Sequence, residues 1–296
     1  MRGIAQKRAV ADQRSHVRAK GRPWRPTRQE RRPRRSDSVL KIRLDEAVAG
    51  REGVTRSRAR SLIMEGRVRV AGVVVTKAGH SIATDANIDI EQPRRFVSRG
   101  GEKLDRALVA FDIDVRGLDA LDVGASTGGF TDCLLQRGVA RVTAVDVGYG
   151  QLDWRLRKDP RVRAIERTNF RTLPDDAFPG GFDLIVIDAS FISVRTILAR
   201  AVAYLRERGR IVALVKPQFE AGRGRVGGGG VVRDPQTHRD VLRSVRDLAT
   251  ALGLSAVALT PSPLRGAAGN REFLMELRRT GPPFADARVE AVLGEG

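Results

Sequence analysis

The reading of the fold turns on Leu121-Asp-Val-Gly-Ala-Ser-Thr-Gly-Gly-Phe130. An apolar run leads into this stretch and a helical pattern over 129–137 leaves it, so the glycines fall at a strand-to-helix turn. A Cβ there would obstruct a ligand approaching the backbone, and a nucleotide-like ligand is expected. The spacing Gly124-x-x-x-Gly128-Gly129 is not the dinucleotide pattern G-x-G-x-x-G, and no Gly-Lys-Ser/Thr follows, which argues against NAD and ATP. Working outward, apolar runs at 119–123, 141–147, 182–188 and 210–216 are separated by helical patterns that include 129–137 and 194–206. This alternation predicts an α/β fold with a doubly wound, mostly parallel sheet and a ligand at the carboxyl ends of its strands.

Charge points to the partner. Among 296 residues, 54 are Lys or Arg and 35 are Asp or Glu, a net charge of +19. Residues 1–36 carry 13 basic and 2 acidic side chains with Pro23, Pro26 and Pro33 among them; this segment is expected to be a disordered Arg-rich tail. The remainder is still basic, and a polyanion such as RNA is the natural partner. The longest apolar runs, 184–187 and 211–215, are far shorter than a membrane span, and no signal-peptide pattern opens the chain. A single cysteine, Cys133, forms no internal disulfide, fits a reducing cytoplasm, and argues against cysteine-metal chemistry; no metal site is expected. Only seven of the 54 basic residues are lysine, which draws attention to each one.

The chain divides into the tail, a small domain over 37–92, a linker over 93–99, a large domain over 100–280 and a C-terminal tail over 281–296. In the small domain Leu44, Ala47 and Val48 share a helical face, and Thr55 can cap a second helix with Ala59, Leu62 and Ile63 on its apolar side. A hairpin turning at Ala71-Gly72 and a strand at 87–90 follow. Arg56 and Arg60 lie one helical turn apart and can face phosphates together. RLDEAVAG at 43–50 and SRARSLIMEGRVRVAG at 57–72 resemble the small α+β RNA-binding domain named after ribosomal protein S4. Arg43, Arg56, Arg58, Arg60 and Arg67 are its candidate RNA contacts.

In the large domain Asp122-x-Gly124, with Asp146 ending the next strand 22 residues beyond Gly124, resembles the class I (Rossmann-like) S-adenosylmethionine methyltransferases. The resemblance implies that Asp146 binds the ribose hydroxyls of the cofactor. Asp122, Gly124, Ser126, Thr127, Gly128, Gly129 and Asp146 are cofactor candidates, and Asn169 is a candidate for the adenine edge or else a turn former.

The acceptor follows from what strand ends carry. No Asn/Asp-Pro-Pro-aromatic motif for base amino-methylation follows the fourth strand, where Asp188-Ala-Ser-Phe191 stands, and Cys133 lies inside a helix rather than at a strand end. His16, His80 and His238 fall in the tail, the small domain and a helix start. Asp188 and Lys216 remain, and they suit a hydroxyl acceptor. A lysine becomes a base for a hydroxyl proton when burial and a neighbouring cation lower its pKa from ~10.4 toward ~7 to 8. Lys216 is read as the base, Lys103 as the neighbouring cation, and Glu272 as the group orienting one lysine or the other.

Long segments now extend the resemblance. VSRGGEKL at 97–104, LDVGASTGGFT at 121–131, AVDVGYGQL at 144–152, DASFIS at 188–193, LVKPQFEAGRG at 214–224 and SPLRGAAGNREF at 262–273 resemble the TlyA (hemolysin A) family, whose second domain is FtsJ-like. This implies 2′-O-methylation of cytidines in small- and large-subunit ribosomal RNA, or in the large subunit alone, with S-adenosylmethionine as cofactor. The family's Lys-Asp-Lys-Glu tetrad falls on Lys103, Asp188, Lys216 and Glu272, and its linker motif, which couples RNA engagement to the methyltransferase, on Arg94 to Val97 with Arg94 and Phe96 as RNA contacts. The loop 222–230, with six glycines, is read as a mobile lid offering Arg223 and Arg225 to phosphates. A non-catalytic RNA-binding protein would be expected to have lost tetrad or cofactor residues, and none is lost. A membrane-active hemolysin would need an apolar stripe, and no clear one is present.

Overall fold

The computed structural model describes residues 40–91, 95–266 and 268–295. Expectations placed on residues 1–39 and on Arg94 lie outside these. Two compact units meet in sequence after Glu91.

The first unit runs β1 (Lys41–Arg43), α1 (Leu44–Glu52), α2 (Arg56–Met64), β2 (Val68–Val70), β3 (Val73–Val74), β4 (Ser81–Ala83) and β5 (Ile88–Ile90). Thr55 caps α2 as expected, its Oγ1 accepting from the Arg58 backbone N–H at 3.3 Å. The hairpin turns at Ala71 and Gly72, whose φ values of 50° and 80° suit a primed two-residue turn. β2 is the centre of a three-stranded antiparallel sheet in the order β3-β2-β5, and β1 pairs separately with β4. Neither β1 nor β4 shows in the sequence pattern, because three residues are too few to display a period of two. Leu44, Val48, Ala59, Leu62, Ile63, Val68, Ile82 and Ile88 form the core.

The second unit contains α3 (Gly100–Ala110), β6 (Asp119–Val123), α4 (Gly129–Gln136), β7 (Arg141–Val145), α5 (Trp154–Lys158), β8 (Val162–Ile165), β9 (Phe182–Ile187), α6 (Val194–Ala201), β10 (Leu205–Val215), α7 (Pro217–Glu220), α8 (Pro235–Ala251), β11 (Ser255–Pro261), β12 (Phe273–Arg278) and α9 (Asp286–Gly294). Its sheet has the order β11-β12-β10-β9-β6-β7-β8, with β12 antiparallel to both neighbours and the five strands from β10 to β8 parallel. Strand alternation sorts the two faces. Leu184 and Val186 pack with Leu104 of α3 and Leu134 of α4, while Ile185 and Ile187 pack with Ile197 of α6, Val245 of α8 and Val289 of α9. The chain leaves β6 toward β7 and β8, then returns to build β9 and β10 on the other side. This reversal opens a crevice at the carboxyl ends of β6 and β9.

Two sequence expectations change here. Residues 281–296, expected as a tail, contain α9, whose Val289 and Val292 are fully buried in the core. Phe96, expected to meet RNA from a linker, is 3% exposed. A Cβ on Gly101 would lie 2.3 Å from the Phe96 ring, so that ring is packed directly on α3, and the neighbouring Val97 N–H donates to Asp132 at 2.8 Å. An aromatic so placed is core, with no face for a base.

Candidate active site

Gly124 follows β6 in the left-handed region, φ +84°, and a Cβ there would stand 2.8 Å from the Asp188 carbonyl oxygen. The absent Cβ lets the turns after β6 and β9 touch. Gly128 and Gly129 answer to packing as well, since their Cβ atoms would meet Leu156 at 2.3 Å and Ser98 at 2.2 Å. These contacts are with the protein itself, so the glycine pattern reads a tight turn more directly than it reads a ligand.

Asp146 follows β7 and accepts from the Ser126 N–H at 2.8 Å and the Gly148 N–H at 2.7 Å. A carboxylate has about four acceptor sites, so ribose hydroxyls still find lone pairs there. Asp146 lines a cavity of about 560 Å3 together with Gly124, Ser126, Asn169, Phe170 and Asp188. Asn169 also caps the turn at Phe170–Thr172, its Oδ1 accepting from the Arg171 N–H at 3.2 Å. Asn169 is thus a turn former that also lines the cavity. Asp122 differs from its expectation. It is fully buried, lines neither this cavity nor the next, and accepts from Thr131 of α4 at 2.7 Å, while its Oδ1 has no partner. Burial pushes its carboxyl up to about 7. It braces the glycine turn from below rather than meeting a ligand.

A second cavity of about 290 Å3 shares Gly124, Ser126, Asp188 and Ser190 with the first and adds Thr127, Lys103 and Lys216. The four tetrad residues come together here as two pairs. Lys216, at the end of β10, stands 2.6 Å from Asp188 Oδ1 and donates to Ser190 Oγ at 2.8 Å. Lys103, on α3, donates to Glu272 Oε2 at 2.5 Å. Glu272 is not among the residues lining this cavity, and of the two lysines it is Lys103 that it contacts. Cys133 is no competing nucleophile, since burial pushes its thiol up to about 12.

Sequence reasoning missed three residues. Ser190 is the hydrogen-bond acceptor for Lys216. Phe191 has φ +63° and is 92% exposed at the rim of the larger cavity, its ring 5.4 Å from that of Phe219. Glu220, in α7, accepts from the Ser193 hydroxyl at 2.6 Å and the Val194 N–H at 2.7 Å, with Arg195 at 3.3 Å. It clasps the turn carrying Asp188 to the segment carrying Lys216. All three lie in the strings DASFIS and KPQFE, but sequence shows neither exposure nor backbone angle.

The RNA candidates separate. Arg43, Arg56 and Arg60 all converge on Asp45, and Arg67 stands 3.5 Å from Glu65. Arg58 is exposed. In the glycine-rich loop Arg225 pairs with Asp240 at 2.6 Å, and the side chain of Arg223 lies outside the described residues. The loop's far end is pinned by buried Asn270, which accepts from the Val232 N–H and donates to the Gly230 carbonyl, each at 2.9 Å. Among the described residues no helix is long and apolar enough to cross a membrane.

The FtsJ-like methyltransferase family matches residues 96–279 and the S4 domain matches residues 42–88. The chain is 48% identical over 232 residues to the 16S/23S rRNA (cytidine-2′-O)-methyltransferase TlyA of Mycobacterium tuberculosis, covering 77% of this chain and 87% of that one. It is 44% identical over 236 residues to Hemolysin A of Brachyspira hyodysenteriae, covering 79% and 98%. The solved structure of a provisionally named hemolysin from Streptococcus thermophilus matches with a TM-score of 0.67 and 40% identity, covering 87% of this chain and 96% of that one.

Proposed function

The chain belongs to the TlyA family of FtsJ-like methyltransferases, and from that premise we propose that it methylates the ribose 2′-hydroxyl of a cytidine in ribosomal RNA. The observation that carries the chemistry is the pair of buried lysines facing one cavity that opens onto a nucleoside-sized one. S-adenosylmethionine, when bound, supplies an electrophilic methyl group on a sulfonium sulfur. The larger cavity fits it: Asp146 offers carboxylate oxygens to a ribose, Phe170 and Val145 offer apolar surface to a base, and Gly124 and Ser126 line the rest.

The lysines then take separate roles, because two ammonium groups facing one small cavity repel each other. Glu272 at 2.5 Å holds Lys103 as a fixed cation. Lys216 Nζ, rigidly placed at a strand end, would accept the proton that the 2′-hydroxyl gives up. Asp188 and Ser190 orient Lys216 for that transfer. Phe191 presents a bare aromatic face at the rim on which an unpaired base can stack. The small unit, with its S4 match, supplies RNA affinity through its arginines.

The test is mass spectrometry of ribosomal RNA nucleosides from cells with and without the protein, joined to methyl transfer by the purified chain. Loss of a 2′-O-methylcytidine in the deletion strain, restored by wild type and not by Asp146→Ala, is the expected result. An unchanged nucleoside profile overturns the reading.

A further inference from the structure

In the small unit Asp45 is reached by three guanidiniums. It lies in the first turn of α1 and is fully buried. Arg43 binds it bidentately, Nε to Oδ1 and Nη2 to Oδ2, both at 3.0 Å. Arg56 Nη2 reaches Oδ1 at 3.2 Å and Arg60 Nε reaches Oδ2 at 3.0 Å. Hydrogen bonding led by Arg43 holds this carboxyl well below the usual carboxylate range, although burial opposes it.

The stoichiometry is what needs a reason. One arginine would satisfy a buried carboxylate, and each further guanidinium repels the others. Ion pairs to half-exposed arginines contribute little stability, so folding alone does not account for three. The four hydrogen bonds fill the acceptor capacity of the carboxylate, leaving a local excess of positive charge. Arg43, Arg56 and Arg60 side chains are 48%, 47% and 53% exposed, so each keeps most of its N–H donors facing water. Arg56 and Arg60 share one face of α2, and Arg43 reaches the same point from β1. The long arginine side chains are thereby held at one end, and the entropy of ordering them is met before a ligand arrives.

We infer that Asp45 is a positioning residue that sets Arg43, Arg56 and Arg60 as one preformed fork for the phosphate oxygens of RNA, and so raises RNA affinity although its own charge opposes it. The inference rests on the RNA reading above. The sign of the effect makes it testable. Asp45→Asn adds one positive charge, so charge alone requires equal or tighter RNA binding, whereas positioning requires weaker binding.

The experiment measures binding of the full chain to transcribed ribosomal RNA across a salt series. Asp45→Asn is expected to bind about tenfold more weakly, raising KM for RNA while kcat at saturating RNA holds. Glu46→Gln, which adds the same charge at an exposed position of α1, is expected to bind at least as tightly as wild type. Arg60→Lys, which keeps charge and loses the fork, should weaken binding severalfold with the salt slope unchanged. Where melting shows Asp45→Asn to be unfolded, Arg60→Lys decides. Wild-type or tighter binding by a folded Asp45→Asn, or wild-type binding by Arg60→Lys, overturns the inference. Wild type that binds this RNA without salt dependence overturns the RNA reading itself, which keeps the two failures apart.

Discussion

Asp45 in the small unit and Asp122 in the large one are both fully buried, yet they sit on opposite sides of the usual carboxylate range. Hydrogen bonds from Arg43, Arg56 and Arg60 hold Asp45 low; at Asp122 burial, helped by the nearby Asp188 and Asp146, outweighs the hydrogen bonds from Thr131 and pushes the carboxyl up to about 7. For these two buried acids the partners decide the direction: three guanidiniums outweigh burial at Asp45, and one threonine does not outweigh it at Asp122. Asp188 and Glu272 add a third arrangement, in which the partner is a lysine that is itself buried, with side chains only 8% and 11% exposed for Lys216 and Lys103. The choice of cation follows the task. Arginine keeps its proton and suits phosphate, whereas lysine can release one and suits a hydroxyl acceptor.

The largest expected effect comes from carrying the small unit's solution into the large one. Lys216→Arg places a permanent cation beside Asp188, and its single-turnover methyl transfer should fall by about 10² to 10⁴ while cofactor affinity measured by calorimetry stays near wild type. Near-normal chemistry would reject Lys216 as the proton acceptor. Lys103→Arg keeps the charge next to Glu272 and loses only geometry, so a smaller drop, between about 10- and 100-fold, is expected in the same assay. If the ranking reverses, the two lysines exchange roles.

Glu220 tests whether a carboxylate can serve the reaction without meeting a cation in the cavity. Glu220→Gln sets an amide N–H against the Ser193 or Val194 donor, an unmet contact worth about 1–3 kcal/mol, and loosens the clasp between the Asp188 turn and Lys216. A fall of about tenfold in kcat, with cofactor affinity held, is expected. A loss of thermal stability with kcat intact would make Glu220 a helix cap and nothing more.

The smallest effect concerns stability and pH. Asp122 is raised from the ordinary carboxyl value of about 3.9 in the unfolded chain to about 7 in the folded one, so between these values the folded chain holds the extra proton. Its contribution to stability then declines as pH rises from about 4 to about 7, by up to about 1.4 kcal/mol per pH unit, and is constant above. Asp122→Asn keeps an acceptor for Thr131 and removes the titration. Urea unfolding across this range should show a flatter pH dependence in the variant, and identical slopes would mean that Asp122 is ionised throughout.

Much of this architecture is legible in the sequence. The alternation of apolar runs implies the parallel sheet because strands covered on both faces must be apolar throughout. The rarity of lysine marks Lys103 and Lys216, since a chain that meets ordinary charge with arginine has kept these two for another reason. The short strands β1 and β4 and the helix α9 escape, the former for lack of length, the latter because its burial depends on packing against β11 and α8 rather than on local pattern.

Sequence alone determined the residue types that the chemistry needs and the strand ends on which they stand, because period and spacing are local properties. Only the tertiary structure decided their partners. That Glu272 serves Lys103 across 169 residues, that Phe96 is core rather than RNA surface, that Asp122 lies beneath its turn, and that three arginines share Asp45 are all consequences of long-range packing. The charge an acid carries, and the direction in which a cation points, are set by neighbours that the linear order does not reveal.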